Sequence, residues 1–332
     1  MREAPSLAIF FTMGEILQYE QDVISERYSQ PFRTLARVIF LIAGSRGKHA
    51  CRVAGRVWFR LFCQPFSRFC ILPDVLLIGA SKCGTSSMAA HLSSHPDCLP
   101  PFYKEPHYFN SGGKRSTQLR VYRAHFPTSA YRQLKQFAAG RKAWAADFTP
   151  TYYDHPHAPR RVLETLGAEV KLIMMVRNPA DRAFSQYQFQ KGLGHEREES
   201  FDRALELEAS RVAGEAEKQL ADESYFSRPL NQFGYVTRGM YLPYIKNWHK
   251  YFKPSQLLIV RFEDFRVSPQ AAFDDVCDFI GAPRHRITQA IHNVSRGGEP
   301  MPASTRARLI ATFRDHNRDM SEYLGRDFAW DQ

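Results

Sequence analysis

The 332 residues hold only six cysteines (Cys51, Cys63, Cys70, Cys83, Cys98 and Cys277), and none of them stands at metal-ligand spacing. That excludes a zinc site of the usual kind and a dense disulfide framework. Long apolar runs are missing too. The longest, Val38 to Gly44, falls far short of the ~20 residues that span a bilayer. The first ten residues lack a basic segment followed by an apolar one and a cleavage site, so no secretory signal is expected. Acidic residues are absent from Arg27 to Pro73, which carries nine Lys/Arg, so the rest of the chain contributes only +2 of the net +11. No nucleic-acid partner is expected. The same stretch carries Phe40, Trp58, Phe59, Phe62, Phe66 and Phe69. It fits either contact with an anionic membrane surface through residues 27–73 or a leader packed on the domain. The expected division is a leader over residues 1–71 and one domain over residues 72–332, which at 44% hydrophobic content can build a large core.

The most informative stretch runs from Val75 to Phe109. Val75-Leu76-Leu77-Ile78 is a fully apolar run of strand length, Gly79 and Gly84 bound a loop, and a helical pattern follows from Thr85. Strand, glycine loop and helix start in that order direct unpaired N–H groups at one spot and cradle a phosphate. The glycine spacing is that of the nucleotide-triphosphatase loop, but Thr85 stands where the lysine should follow the second glycine, and the lysine lies inside the loop as Lys82. There it sits beside the oxygen that bridges the nearest phosphate to a transferred group. The hydroxyls of Thr85, Ser86 and Ser87 add donors. Downstream, Pro100, Pro101 and Pro106 hold an extended path, on which Glu105 and His107, two apart, point to the same side as a general base and a polar partner. A solvated loop with a salt bridge from Glu105 to Lys104 or Arg115 is the plainer reading.

Two further strands are expected at Ala143–Asp147 and Val170–Val176, with another at Leu257–Val260. Asp147, Thr151 and Tyr152 fit acceptor contacts or turn residues equally. After the Val170–Val176 strand come Arg177-Asn178-Pro179 and a helix with Asp181 in its first turn. Arg177 and Ser185 suit a second phosphate, the guanidinium fork being its natural donor, or Arg177 pairs with Asp181 at the surface. Phe201 to Ser224 reads as one charged helical stretch, Gly239 to Trp248 as an aromatic helix, and Arg306 to Leu324 as a final helix stopped by Gly325. Glu263-Asp264 reads as a cap before a helix starting at Ser268. The fold class is α/β: a central parallel sheet flanked by helices, with a P-loop-like phosphate loop.

GASKCGTSS, then KEPHYF, then VRNPADRAFSQYQ resembles the sulfotransferases that use 3′-phosphoadenosine 5′-phosphosulfate, most closely the Golgi carbohydrate branch acting on glycosaminoglycans. The resemblance covers about Leu72 to Trp330. It implies that Lys82, Cys83, Gly84, Thr85 and Ser86 hold the 5′-phosphosulfate and that Arg177 and Ser185 bind the 3′-phosphate. A late loop with Arg296, Gly297 and Gly298 corresponds to a segment that closes over the nucleotide, with arginine for the family's lysine and glycine for its arginine. Glu105 falls at the catalytic base and His107 at a neighbouring histidine. Phe148 replaces a lysine that several relatives carry, and the paired cysteines of many Golgi members are missing.

The reaction these residues imply is in-line sulfuryl transfer to a hydroxyl or amine of an oligosaccharide or polysaccharide. Glu105 takes the proton and Lys82 steadies the leaving phosphate, with no metal needed. The resemblance places this work in the Golgi lumen, against a cytoplasmic alternative that the lack of an anchor raises. A P-loop kinase or nucleotide hydrolase would need magnesium and a lysine after Gly84, and a non-catalytic nucleotide-binding membrane protein would not need both Lys82 and Glu105.

Overall fold

The computed structural model describes residues 64–112, 115–287 and 300–330. Residues 1–63 of the leader and the loop carrying Arg296, Gly297 and Gly298 lie outside them. Five parallel strands form one sheet: β1 (Val75–Gly79), β2 (Cys98–Leu99), β3 (Trp144–Asp147), β4 (Lys171–Val176) and β5 (Leu257–Arg261), in the order β2-β3-β1-β4-β5. β1 and β3 are buried along their whole length, and β4 everywhere but Lys171. This is the pattern of a parallel sheet covered on both faces, and it explains why these strands are continuous apolar runs rather than alternating ones.

Helices connect and cover the strands. They are α1 (Thr85–Ser94), α2 (Arg115–Ala124), α3 (Ser129–Ala139), α4 (Ala158–Leu166), α5 (Pro179–Gly192), α6 (Phe201–Val212), α7 (Glu215–Ala221), α8 (Arg228–Phe233), α9 (Tyr241–His249), α10 (Phe262–Val267), α11 (Pro269–Ile280) and α12 (Ala303–Leu324). The α/β expectation and its strands hold, with ends shifted by one residue. The Phe201–Ser224 stretch is two helices rather than one, broken at Gly214, which takes a left-handed φ of 72°. Asp264 and Glu263 lie in the first turn of α10, the segment before Ser268, and Glu263 also reaches beyond it. Its carboxylate accepts from the Asn178 N–H (2.8 Å) and from Trp330 Nε1 (3.3 Å), pinning the end of β4 to the C-terminal segment.

The chain lays β2 and β3 on one side of β1, then β4 and β5 on the other. The boundary between β1 and β4 is therefore the topological switch point, and the crevice beyond the carboxyl ends of those two strands is where such sheets bind ligands. The loop after β1 and Arg177 after β4 both open into it.

Both loop glycines answer to close contacts. A Cβ on Gly79 would lie 2.6 Å from Tyr153 Cδ1. That ring is held by the Tyr153 N–H bond to Ile78 O (2.9 Å) and by the Tyr153 hydroxyl donating to Arg238 O (3.0 Å). Gly84 combines a φ of +84° with a would-be contact of 2.6 Å to Phe262 Cδ2. Gly79→Ala should lower folding stability by about 1–3 kcal/mol through overpacking against Tyr153, read from the denaturation midpoint. Gly192→Ala, at a position with open space around it, should leave the midpoint unchanged or slightly raised.

Candidate active site

The loop Ala80–Gly84 runs from the buried end of β1 into α1. Cys83 N–H closes a turn on Ala80 O (3.2 Å), and the Cys83 side chain is fully buried, its sulfur 3.6 Å from the Tyr241 hydroxyl. Burial pushes that thiol up to about 11, so it stays protonated and serves packing. α1 begins at Thr85 after the left-handed Gly84, and the first N–H groups of a helix have no acceptor within it. The N–H groups of Ser87 and Met88 turn back to Gly84 O (3.1 and 3.2 Å).

Three cations gather at this loop. Lys82 Nζ lies 4.0 Å from the centre of the Phe189 ring. Arg177 stands over Phe262 (4.9 Å) and donates from Nη1 to Lys82 O (3.4 Å). Arg182, wholly buried one turn into α5, donates from Nη2 to the carbonyls of Gly234 (2.9 Å) and Tyr235 (2.5 Å), while its Nε and Nη1 have no partner among the described residues. None of the three makes an ion pair with a described carboxylate. Asp181, the surface alternative for Arg177, instead pairs with Arg306. Burial first, then Arg177 and Arg182, pull the Lys82 ammonium from 10.5 down to about 8. Crowded cations without counter-ions, beside helix N–H groups, make a ready anion site. Ser185 lies half-buried on α5, eight residues beyond Arg177.

Glu105 and His107 do come together, but not through an extended backbone. Their φ values are 61° and 55°, both left-handed, and this turn brings His107 Nε2 to 3.5 Å from Glu105 Oε2. His107 Nδ1 is 3.3 Å from Thr151 Oγ1 and 3.4 Å from Asn110 Nδ2. The amide nitrogen can only donate, so Nδ1 accepts and Nε2 carries the hydrogen toward Glu105. Lys104 donates to Ser86 Oγ (2.9 Å) and lies 3.9 Å from Glu105 Oε1, tethering this segment to α1.

Asp147 and Tyr152 are fully buried and cannot touch an acceptor. Asp147 accepts from Thr149 Oγ1 (2.6 Å), the Tyr122 hydroxyl (2.9 Å) and the Tyr152 hydroxyl (3.0 Å), and burial raises its carboxyl to about 6 despite these bonds. Tyr152 in turn accepts from the Tyr108 N–H (3.0 Å), so this network braces the Glu105–His107 turn from below. Arg182 and Asn110 are the site residues that sequence reasoning passed over, while Lys104 stands as the salt-bridge partner of Glu105 that the plainer reading named. Arg182 had one signal, a charged side chain one turn into the helix that directly follows the buried strand β4. No group of three or more His, Cys, Asp or Glu suited to a metal occurs among the described residues.

Residues 72–297 match the sulfotransferase domain family, which is more than half of the chain, and the protein belongs to that family. Mouse heparan sulfate glucosamine 3-O-sulfotransferase 6 is 27% identical over 283 residues, covering 78% of this chain and 74% of the relative. Mouse bifunctional heparan sulfate N-deacetylase/N-sulfotransferase 4 is 26% identical over 77% of the chain, which spans only 30% of that longer protein. The membrane-associated sulfotransferase kil1 of Dictyostelium discoideum is 24% identical over 78% of the chain. Among solved structures, a sulfotransferase from Alicyclobacillus acidocaldarius aligns over 79% of this chain and all of its own, with 27% identity and a TM-score of 0.56.

The depressed Lys82 has a measurable consequence. Because the folded lysine releases its proton near 8 and the unfolded one near 10.5, the unfolded chain binds more protons between those values and stability rises with pH there. An anionic ligand reverses the shift. Binding of adenosine 3′,5′-bisphosphate at about pH 9 should take up a proton, with affinity falling by up to about tenfold per pH unit above that pKa. Calorimetry in buffers of different ionisation enthalpy reads the uptake, which Lys82→Met should abolish.

Proposed function

We propose that the crevice transfers a sulfuryl group from 3′-phosphoadenosine 5′-phosphosulfate to a hydroxyl or amine of an oligosaccharide or polysaccharide. One observation carries the reading. The non-glycine residues with left-handed φ among those described are Lys82, Glu105, His107 and Ala329, and the first three are the residues to which chemistry is assigned. Such conformations cost about 1–3 kcal/mol each and persist where the surroundings over-determine them, most often at functional sites.

In this reading the first-turn N–H groups of α1, with Thr85 and Ser86, hold the 5′-phosphate, and Arg177 with Ser185 holds the 3′-phosphate. Glu105 takes the acceptor's proton as the acceptor oxygen or nitrogen bonds to sulfur and the bond from sulfur to the bridging phosphate oxygen breaks. Lys82 stabilises the charge left on that oxygen. His107, with its N–H toward Glu105, orients the carboxylate, and Lys104 sets its distance from the loop. The leaving group is a phosphate met by fixed cations and amides, and the mechanism assigns no step to a metal. A lysine inside the loop serves the bridging oxygen, which is why sulfuryl transfer fits better than a kinase reaction.

Two relatives named for heparan sulfate support a carbohydrate acceptor. The acceptor contacts differ in detail, since Phe148, which replaces the lysine of several relatives, is in the core at 3% exposure. The family branch supports a Golgi setting. Among the described residues no helix is long and apolar enough to cross a membrane.

Glu105→Gln should lower kcat by about 10²–10⁴ while adenosine 3′,5′-bisphosphate binds as tightly as before. Arg177→Ala should remove the preference for that nucleotide over AMP, measured in EDTA. Unchanged turnover in the first variant, or nucleotide binding that needs magnesium, would overturn the reading.

A further inference from the structure

α3 is a helix that buries none of its residues, although it carries an apolar stripe. Tyr131, Leu134 and Phe137 are 52%, 64% and 88% exposed, and Ala130 and Ala138 extend the same face. The other side of the helix is tied down by polar bonds, Arg132 to Asp74 (3.0 Å) and Lys135 to Cys98 O (3.0 Å), so the stripe is held outward. Beside it stands the turn Ser67–Phe69. Cys70 bridges to Thr128, the N-cap of α3, and Ile71 N–H donates to Pro127 O (3.0 Å). That turn exposes Phe66 (56%) and Phe69 (49%), with Arg68 over the Phe69 ring at 4.6 Å.

The charge around this face is one-sided. From Pro106 to Ala146 the sequence has no Asp or Glu and eight Lys/Arg, a second acid-free stretch to set beside that from Arg27 to Pro73. The described part of the first stretch, residues 64–73 with Arg68, meets the second where Cys70 bridges Thr128. The nearest carboxylates of the sheet, Asp74 and Asp97, are neutralised by Arg132 and Arg141.

We propose that α3 and the turn Ser67–Phe69 form a docking face for an anionic bilayer surface. A bilayer supplies both things this face offers to bind: an apolar layer for Leu134, Phe137 and the aromatic rings, and headgroup charge for the surrounding arginines and lysines. A polysaccharide would satisfy only the second. The face also lies at the right end of the molecule. Asp74 and Asp97, which anchor its helix and the segment after it, immediately precede β1 and β2, at the amino ends of the strands. The transfer crevice opens at the carboxyl ends, so a docked enzyme turns its site away from the lipid and toward acceptors in water.

The test is flotation of the full chain with phosphatidylcholine vesicles, with and without about a third phosphatidylserine. The wild type should float with the anionic vesicles and lose them at high salt. Leu134→Asp with Phe137→Asp, both on exposed positions, should weaken partitioning by about tenfold or more with the denaturation midpoint and nucleotide affinity unchanged. The proposal is overturned if the wild type does not float, or if the double variant floats equally well, which would assign any binding to the leader alone. It is also overturned if light scattering shows a dimer that the same substitutions dissociate, which would make a second copy the occupant. Turnover does not enter these readouts, so they stand whatever the acceptor proves to be.

Discussion

Positive charge held without a counter-ion at the boundary between β1 and β4 is the constraint on which the site depends. Lys82, after β1, and Arg177 and Arg182, after β4, come from two points of the chain that strand order brings together. Their neighbours are aromatic faces and backbone carbonyls rather than carboxylates: Phe189 under Lys82, Phe262 under Arg177, Gly234 and Tyr235 around Arg182. Carbonyls and rings hold cations in place without neutralising them. Burial and like-charge crowding together depress Lys82, a state that an anionic ligand would relieve.

The proposed base is positioned by different means. Glu105 sits in a turn that no regular element supports, yet it is fixed at both ends. Lys104 ties it to α1 through Ser86, and Tyr108 ties it to the end of β3 through Tyr152 and the buried Asp147. Since β3 and β4 flank β1, the base and the cations are set by adjacent strands of one rigid sheet. Left-handed backbone at Lys82, Glu105 and His107 is sustainable only with such bracing. The fixed geometry that results is what in-line transfer requires.

Much of this was legible in the sequence because parallel strands buried on both faces are uninterrupted apolar runs, and because glycines forced by Tyr153 and Phe262 fall at a spacing that announces a phosphate loop. What was not legible depends on contacts distant in sequence. Arg182 reads as an ordinary surface arginine of a helix until the 234–235 backbone closes over it. Asp147 looks like a crevice residue at a strand end until Tyr122, from α2, covers it. The Glu105–His107 turn was misread in its backbone while its side-chain meeting was anticipated, since spacing of two gives convergence on an extended chain and a left-handed turn reaches it by another route.

The place of the lysine within the loop decides what chemistry the fold performs. A lysine after the second glycine would extend along α1 toward the outer phosphates of a triphosphate, and Thr85 occupies that position with 7% exposure, a short side chain packed at the helix start. Moving the cation three residues earlier, onto a left-handed residue between Ser81 and the buried Cys83, turns it to the crevice beside Phe189. In the proposed reaction its charge falls from there on the first phosphate and the oxygen that leaves with it. A loop built this way stabilises departure from a monophosphate, and the sheet, glycines and helix start can stay those of a nucleotide fold while the transferred group changes.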